Sequence, residues 1–402
     1  MKKHILVISQ YFYPEQFRIN DICQEWVKDG YEVTVLTGIP NYPAGEFYEG
    51  YGLKKRRNEK WNGINIIRLP ILPRKKGAIR LAINYLSFVV SGFFWSMFSH
   101  ISADVVFIYE VSPMTQALPG VWYAKRKKCP CYLYVMDLWP ENVEIVLGIH
   151  NKLFLNSIEV MVKYIYKRCD RIFTSSKSFI EKIVSRGIER EKLEFWPQYA
   201  EDFYEKCERG KNELEIPQDG VLNLTFAGNV GYAQGLKTLV ESAVLLKKKD
   251  KIVRFNIIGE GRYLEQLKRD VKDNKIERYF NFISKKPAED IQKYFAYSDV
   301  ALITLSKSEV FAMTIPAKTQ SCLKCGMPII AAADGEVQKV ICEACCGYYG
   351  DSENAEQLTE NILSFMDTTS ECRTKFSVNA IKYYNENFDK QLLVKKMESY
   401  FN

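Results

Sequence analysis

The sequence predicts an α/β fold made of two doubly wound, Rossmann-like domains in tandem. Three features carry that expectation. Short apolar runs of strand length alternate with amphipathic stretches of helical period, the pattern of parallel sheets covered by helices. The alternation pauses at a polar, proline-bearing segment, "LEFWPQYAEDFY" at 193–204, and then starts afresh. With 402 residues, 47% of them hydrophobic, the chain can supply two domains of roughly 150–200 residues, each with its own core.

In the first half the strand candidates are "HILVIS" (4–9), "EVTVLT" (32–37), "NIIRLP" (65–70), "DVVFIY" (104–109), "CYLYVMD" (131–137) and "RIFTSS" (171–176). Between the first two, "RINDICQEWVKDG" is amphipathic and closes on a glycine suited to a helix C-terminus. In the second half they are "LNLTFAG" (222–228), "RFNIIG" (254–259), "YFNFIS" (279–284), "SDVALITL" (298–305), "MPIIAAA" (327–333) and "CGYYG" (346–350). The expected domains are 1–195 and 196–385, with 193–204 as a hinge and a closing helix over 386–402 folding back on the first domain. Ligands of such sheets bind beyond the strands' carboxyl ends, so a cleft between the two domains is the expected site. At the N-terminus "MKKHILVISQYFYPEQ" has only a five-residue apolar run and no small-residue cleavage site. It reads as a buried first strand rather than a signal peptide, which predicts a cytoplasmic protein.

The net charge of +7 is concentrated: residues 51–100 hold ten lysines and arginines against one acid, Glu59. They cluster as "KKRRNEK" (54–60) and "RKKGAIR" (74–80), just before the aromatic-rich "LAINYLSFVVSGFFWSMF" (81–98). Basic groups beside an aromatic, amphipathic stretch suit an anionic membrane surface, each Lys or Arg adding about 1 kcal/mol. Asn84, Ser87, Ser91 and Ser96 interrupt the segment, which argues for surface docking rather than a span. The expected location is therefore the inner face of the cell membrane, as a peripheral protein. No nucleic-acid-binding module accompanies the charge, so nucleic acid is not an expected partner. Eleven cysteines in such a chain imply reduced thiols. Cys322, Cys325, Cys342 and Cys345 have the spacing of a four-thiolate zinc site, but both pairs fall in helical patterns, where such cysteines fill core. His4, His100 and His150 make no constellation, and no metal or cofactor is expected.

The segment "FAGNVGYAQGL" (226–236) has the order strand, glycine loop, helix. Gly228, Gly231 and Gly235 let the backbone approach an anion, and the following helix aims its free N–H groups at the same place. Gly228 and Gly235, the turn Gly259-Glu260-Gly261 in "IIGEGRYLEQL", and "TIPAKTQSCLKCGMPIIAAADGE" (314–336) resemble glycosyltransferase family 4, retaining enzymes of GT-B fold. With "MDLWPENV" (136–143) and "YFYPEQFRIND" (11–21) they are similar to a branch of bacterial N-acetyl-L-fucosamine and related amino-sugar transferases of O-antigen and capsule assembly. The resemblance covers nearly the whole chain. It implies a GT-B architecture and transfer of a hexose, such as an N-acetylated 6-deoxy sugar, from a UDP-linked donor. The implied acceptor is a polyprenyl-diphosphate-linked saccharide.

The departures from the family's pattern reshape the expected site. Asn229 and Gln234 occupy the positions where the family carries an arginine and a lysine on the diphosphate. Met313 and Ser321 occupy those of its paired glutamates. The missing charge is therefore assigned to Lys318 and to Arg18, whose guanidinium can grip phosphate oxygens bidentately. The expected diphosphate set is Arg18, Gly228, Asn229, Gly231, Gln234 and Lys318. Gly259, Glu260, Gly261, Ser284 and Ser321 are the expected nucleotide and ribose contacts, and Thr314, Ile315, Pro316 and Gln320 the donor-sugar contacts. Asp137 and Glu141, where a strand runs out into "DLWPEN", are the candidate catalytic carboxylates. They would orient the acceptor or stabilise developing positive charge. The resemblance implies front-face attack with the leaving diphosphate as proton acceptor, so no nucleophile is assigned. Two other readings use the same residues: a UDP-N-acetylhexosamine epimerase, and a non-catalytic nucleotide-sugar-binding partner in a glycan-assembly complex.

Overall fold

The computed structural model describes residues 3–210 and 215–401. The chain divides into two compact units, Met1–Trp196 with Val394–Asn402, and Pro197–Leu393. The first holds strands β1 (His4–Ile8), β2 (Glu32–Gly38), β3 (Asn58–Trp61), β4 (Ile64–Leu69), β5 (Val105–Glu110), β6 (Cys131–Val135), β7 (Arg171–Thr174) and β8 (Leu193–Phe195). Its helices are α1 (Arg18–Lys28), α2 (Ala78–Phe98), α3 (Ala117–Lys127), α4 (Glu141–Leu147), α5 (Lys152–Arg168) and α6 (Lys177–Val184). The strand order is β3-β4-β2-β1-β5-β6-β7-β8, parallel except for the β3–β4 pair. Strands β5 and β6 are buried at every residue, and β1 and β2 at all but the first. Strands covered on both faces carry no polar alternation, which is why they read as unbroken apolar runs.

The strand order reverses between β1 and β5, which makes the crevice beyond their carboxyl ends this sheet's switch point. Gln10, just past β1, donates from its backbone to Gln116 Oε1 at 2.7 Å and from its amide to Asn84 Oδ1 at 2.8 Å. The second bond ties α2 over the end of β1. Helix α2 buries Asn84, Phe88, Gly92 and Ser96, one residue per turn. Gly92 permits the close crossing with α3, since a Cβ there would lie 2.3 Å from Pro119 Cγ. The opposite face, with Ile79, Ile83, Leu86, Val90, Phe94 and Phe98, is exposed.

Two edge strands escape the sequence reading. Strand β3 lies in the basic stretch and only alternates between exposed and half-buried residues, so it carries no apolar signal. Strand β8 takes up the start of the segment expected as a hinge, and the unit boundary follows it. The closing segment also differs from a single continuous helix. Helix α14 of the second unit (Ser370–Asn387) ends at the buried Phe388, and Asp389 then caps a new helix, its Oδ1 accepting from Leu392 N–H at 2.9 Å. Within the first unit Phe401 packs edge-on to Trp26 at 5.2 Å, and Tyr132 donates to the Tyr400 carbonyl at 2.7 Å.

The second unit holds β9 (Leu222–Ala227), β10 (Val253–Ile258), β11 (Phe280–Ile283), β12 (Val300–Thr304), β13 (Ile329–Ala332) and β14 (Gly347–Gly350), all parallel, in the order β11-β10-β9-β12-β13-β14. Its helices are α7 (Lys237–Lys248), α8 (Leu264–Asp273), α9 (Ala288–Phe295), α10 (Glu309–Ala312), α11 (Ala317–Lys324), α12 (Glu336–Ala344), α13 (Ala355–Met366) and α14, and the chain closes with α15 (Lys390–Glu398). The switch point here lies between β9 and β12. Cys322 and Cys325 on α11 are buried in this unit's core, whereas Cys342 and Cys345 are exposed around the end of α12. The two cysteine pairs thus stand in opposite environments.

Candidate active site

The glycine loop after β9 sits at the switch point of the second sheet and is laced to its neighbours through backbone. Val230 N–H donates to the Glu260 carbonyl at 2.8 Å and Tyr263 N–H to the Val230 carbonyl at 3.0 Å. Gly259 and Gly261 are what this crossing needs: a Cβ at Gly259 would lie 1.9 Å from the Gly228 carbonyl oxygen, and one at Gly261 2.2 Å from that of Val230. On its other side the loop is pinned to the end of β12, where Thr304 Oγ1 donates to the Gln234 carbonyl and Ser306 Oγ to that of Tyr232, both at 2.6 Å. Gly235 packs on Leu305, and Gly231 lies against the Asn229 amide. Among the described residues neither the Asn229 nor the Gly231 N–H has an acceptor. The loop therefore presents backbone donors on a fixed frame.

The charge this loop lacks comes from α11. Lys318 Nζ donates to Gln234 Oε1 at 2.6 Å and stands 3.9 Å above the centre of the Phe226 ring. It also lies 3.4 Å from where a Cβ on Gly228 would be. Burial pulls the Lys318 ammonium down to about 8, so its proton is weakly held until an anion arrives. Gln234 thus holds the cation rather than replacing it. Lys318, Gln234 and Gly228, assigned separately from the sequence, converge on one spot.

Other expected donor contacts are placed differently. Ser321 is buried, donates to the Ala317 carbonyl at 3.3 Å and lies against the Tyr204 phenol, so its hydroxyl is turned into the unit. Gln320 is buried too, and assigning its amide nitrogen to the side that faces the Pro316 and Ala317 carbonyls, 2.9 and 3.2 Å away, satisfies both of its amide atoms. Both placements have one cause: α11 is buried on all sides from Thr319 to Leu323, so its polar groups turn inward. The Thr314 hydroxyl donates to the Phe311 carbonyl at 2.9 Å, Ile315 packs on the core, and Pro316 starts α11. Exposed Glu260 pairs with Lys285 at 2.7 Å, and Ser284 is exposed at the end of β11.

The first unit gathers its candidates at its own switch point. Asp137, two residues past β6, accepts from the Ser112 hydroxyl and N–H at 2.7 and 2.8 Å, both on Oδ2. Trp139 Nε1 donates to Ser112 Oγ at 3.1 Å and fixes that hydroxyl in turn. Glu110, the last residue of β5, is fully buried and accepts the Asp137 N–H at 3.3 Å. Burial, and then the charge of Asp137, push the Glu110 carboxyl well above the usual range, which favours its protonated form. Sequence reasoning missed Glu110 and Ser112. The available signal was "YEVSP", a carboxyl ending an otherwise apolar strand. Arg18 opens α1, and its charge reaches the Tyr109 and Tyr134 hydroxyls.

Glu141 is reassigned. Burial would raise its carboxyl, but Arg186, bonded to both of its oxygens at 2.6 and 2.5 Å, and Lys182 hold it below the usual range. Arg186 also donates to the Trp139 carbonyl at 2.8 Å. The pair joins the start of α4 to the chain just after α6 and shapes the turn that carries Asp137. Both Glu141 oxygens are thus engaged within the unit.

Comparisons with known proteins accord with this architecture. Residues 16–198 match the glycosyl transferase 4-like domain and residues 211–383 the glycosyl transferases group 1 family. The chain is 23% identical over 346 residues to the colanic acid biosynthesis protein assigned as glycosyl transferase WcaI in Escherichia coli (strain K12), covering 82% of this chain and 83% of that one. It is 25% identical over 329 residues to the alpha-monoglucosyldiacylglycerol synthase of Streptococcus pneumoniae (strain ATCC BAA-255 / R6), covering 77% and 69%. Among solved structures, sucrose-phosphate synthase from Thermosynechococcus elongatus superposes with a TM-score of 0.73 at 14% identity, covering 100% and 98% of the two chains. Anabaena HepE in complex with UDP and glucose gives 0.67 at 13% identity, covering 99% of each.

Proposed function

We propose, from the premise that this chain is a glycosyltransferase of GT-B architecture, that it moves a hexose from a UDP-linked donor to a polyprenyl-diphosphate-linked saccharide. The observation that carries the donor half is the convergence of Lys318, Gln234 and Gly228 under two uncommitted backbone N–H groups. A half-buried ammonium beside free amide donors is suited to a diphosphate, which strengthens the lysine's hold on its proton and satisfies both N–H groups. The UDP complex of HepE, a protein of like fold, supports the choice of nucleotide. Retention follows if the leaving diphosphate takes the acceptor's proton on the same face. Asp137, steadied by Ser112 and Glu110, orients the acceptor hydroxyl. Arg18 is the proposed cation of the first unit. Lys318 beside the donor loop meets the charge of the diphosphate, so turnover calls for no metal.

The acceptor half rests on α2. Its exposed apolar face, next to the exposed Lys75, Lys76 and Arg80, suits peripheral docking on the inner, anionic face of the cell membrane. The names of the two relatives, one in colanic acid synthesis and one acting on a diacylglycerol lipid, support a surface polysaccharide or glycolipid product. Amino sugars of O-antigen and capsule are the donors to test first. A thermal-shift screen of UDP-, GDP- and dTDP-sugars on the full chain is the experiment, since ligand binding raises stability by mass action. UDP-sugars should raise the midpoint, and Lys318→Met should weaken UDP binding at least tenfold with the fold intact. Unchanged UDP affinity in that variant sinks the donor assignment.

A further inference from the structure

We propose that the first unit carries a binding site for a prenyl diphosphate bearing a saccharide, with Arg74 on the phosphates and the rings of Phe17 and Tyr42, backed by the buried Tyr11, under the sugar. This rests on the glycosyltransferase reading above and names where its acceptor binds. The three rings come from two segments, Tyr11 and Phe17 past the carboxyl end of β1 and Tyr42 past that of β2. Tyr11 and Phe17 stack at 5.2 Å, and Tyr42 is tilted against them at 5.5 and 5.4 Å. The floor is preformed, because the buried Glu15 carboxylate accepts the N–H groups of Asn41 and Tyr42 at 2.8 and 2.6 Å. Tyr42 itself is exposed.

Arg74 is placed by the same loop. Its N–H donates to Asn41 Oδ1 at 3.1 Å, and its guanidinium carbon stands 5.3 Å from the centre of the Tyr42 ring. Among the described residues no carboxylate pairs with it. An arginine on an aromatic face without an acid partner is a cation kept for an anion from outside. Two residues before Arg74, Leu72 is exposed, and five after it Ile79 begins the apolar face of α2. Hydrocarbon surface, cation, aromatic floor and carboxylate therefore occur together on one unit. That is the chemistry of a lipid tail, a diphosphate, a sugar ring and the hydroxyl to be glycosylated.

The test uses the full chain and four probes: farnesyl diphosphate, inorganic pyrophosphate, farnesol and UDP, with affinities read by calorimetry. Farnesyl diphosphate should bind more tightly than either pyrophosphate or farnesol. Arg74→Ala should weaken it about tenfold or more while leaving UDP affinity and the unfolding midpoint unchanged. Farnesyl diphosphate bearing N-acetylglucosamine tests the floor, and Tyr42→Ala should weaken that probe more than farnesyl diphosphate itself. The site is overturned if wild type does not bind farnesyl diphosphate, if Arg74→Ala binds it as wild type does, or if that variant loses UDP affinity in parallel. Equal losses for both prenyl probes in Tyr42→Ala overturn the sugar floor. Binding through Arg74 in a protein that binds no nucleotide would keep this site and sink the donor reading, so the two failures are separable.

Discussion

At the scale of single residues, the contrast between two carboxylates shows how placement decides role. Asp137 and Glu141 lie four residues apart, yet Ser112 orients the first, while Arg186 and Lys182 consume the second. Asp137→Asn should lower turnover about 100-fold at nearly unchanged stability. Glu141→Gln should cost about 2 kcal/mol of stability, since it removes the closer of two carboxylates that pair with the Arg186 guanidinium. Kinetics and denaturant unfolding of the two variants check the division. Lys318 makes a prediction through its proton. Its ammonium is pulled down to about 8 by burial, whereas a bound diphosphate favours the charged form. In the free protein stability therefore rises as pH climbs from about 8 toward the ordinary lysine value. In the complex the proton is kept, so UDP binding above pH 8 takes up a proton and weakens with rising pH, by about tenfold per unit at most. Calorimetry at pH 7 and pH 9, in two buffers of different ionisation enthalpy, measures that uptake. Lys318→Met should abolish it.

At the scale of elements, α2 and α11 were each legible as helices, but their faces were not. The sequence marks 81–98 as apolar and aromatic, and α2 is the helix among the described residues long and apolar enough to cross a membrane. Its buried face ties it to the first unit. One residue per turn is sunk into the first unit, with Gly92 against Pro119, so a span would have to tear the helix from its domain. The exposed half is free to lie in a membrane surface. The full chain should co-sediment with phosphatidylglycerol-rich vesicles, less so in high salt, and poorly with neutral phosphatidylcholine. Replacing Ile83 and Leu86 by serine should reduce that binding at least tenfold, because each large side chain withdrawn from lipid costs roughly 1.5–3 kcal/mol. In α11 the motif identified a polar run, but only the burial of Thr319 through Leu323 separates Lys318, which reaches the loop, from Gln320 and Ser321, which do not.

At the scale of the whole molecule, one topology occurs twice, and each copy places its candidates beyond the strands at its own switch point. This much the sequence determined by itself. Parallel strands covered on both faces announce themselves as apolar runs, and the twelve expected strands are all present, while edge strands β3 and β8 have too little burial to leave a signal. The glycine spacing of the donor loop was legible for a similar reason, since backbone crossing backbone at Gly259 and Gly261 tolerates no side chain. What only the tertiary structure decided was which polar groups meet. Gln234 and Lys318 lie 84 residues apart, and Glu110 and Asp137 27 apart. A carboxylate's worth as a base, or a lysine's as a phosphate ligand, depends on the charges and the burial around it. Those are set by side chains that the fold, and not the local sequence, makes neighbours.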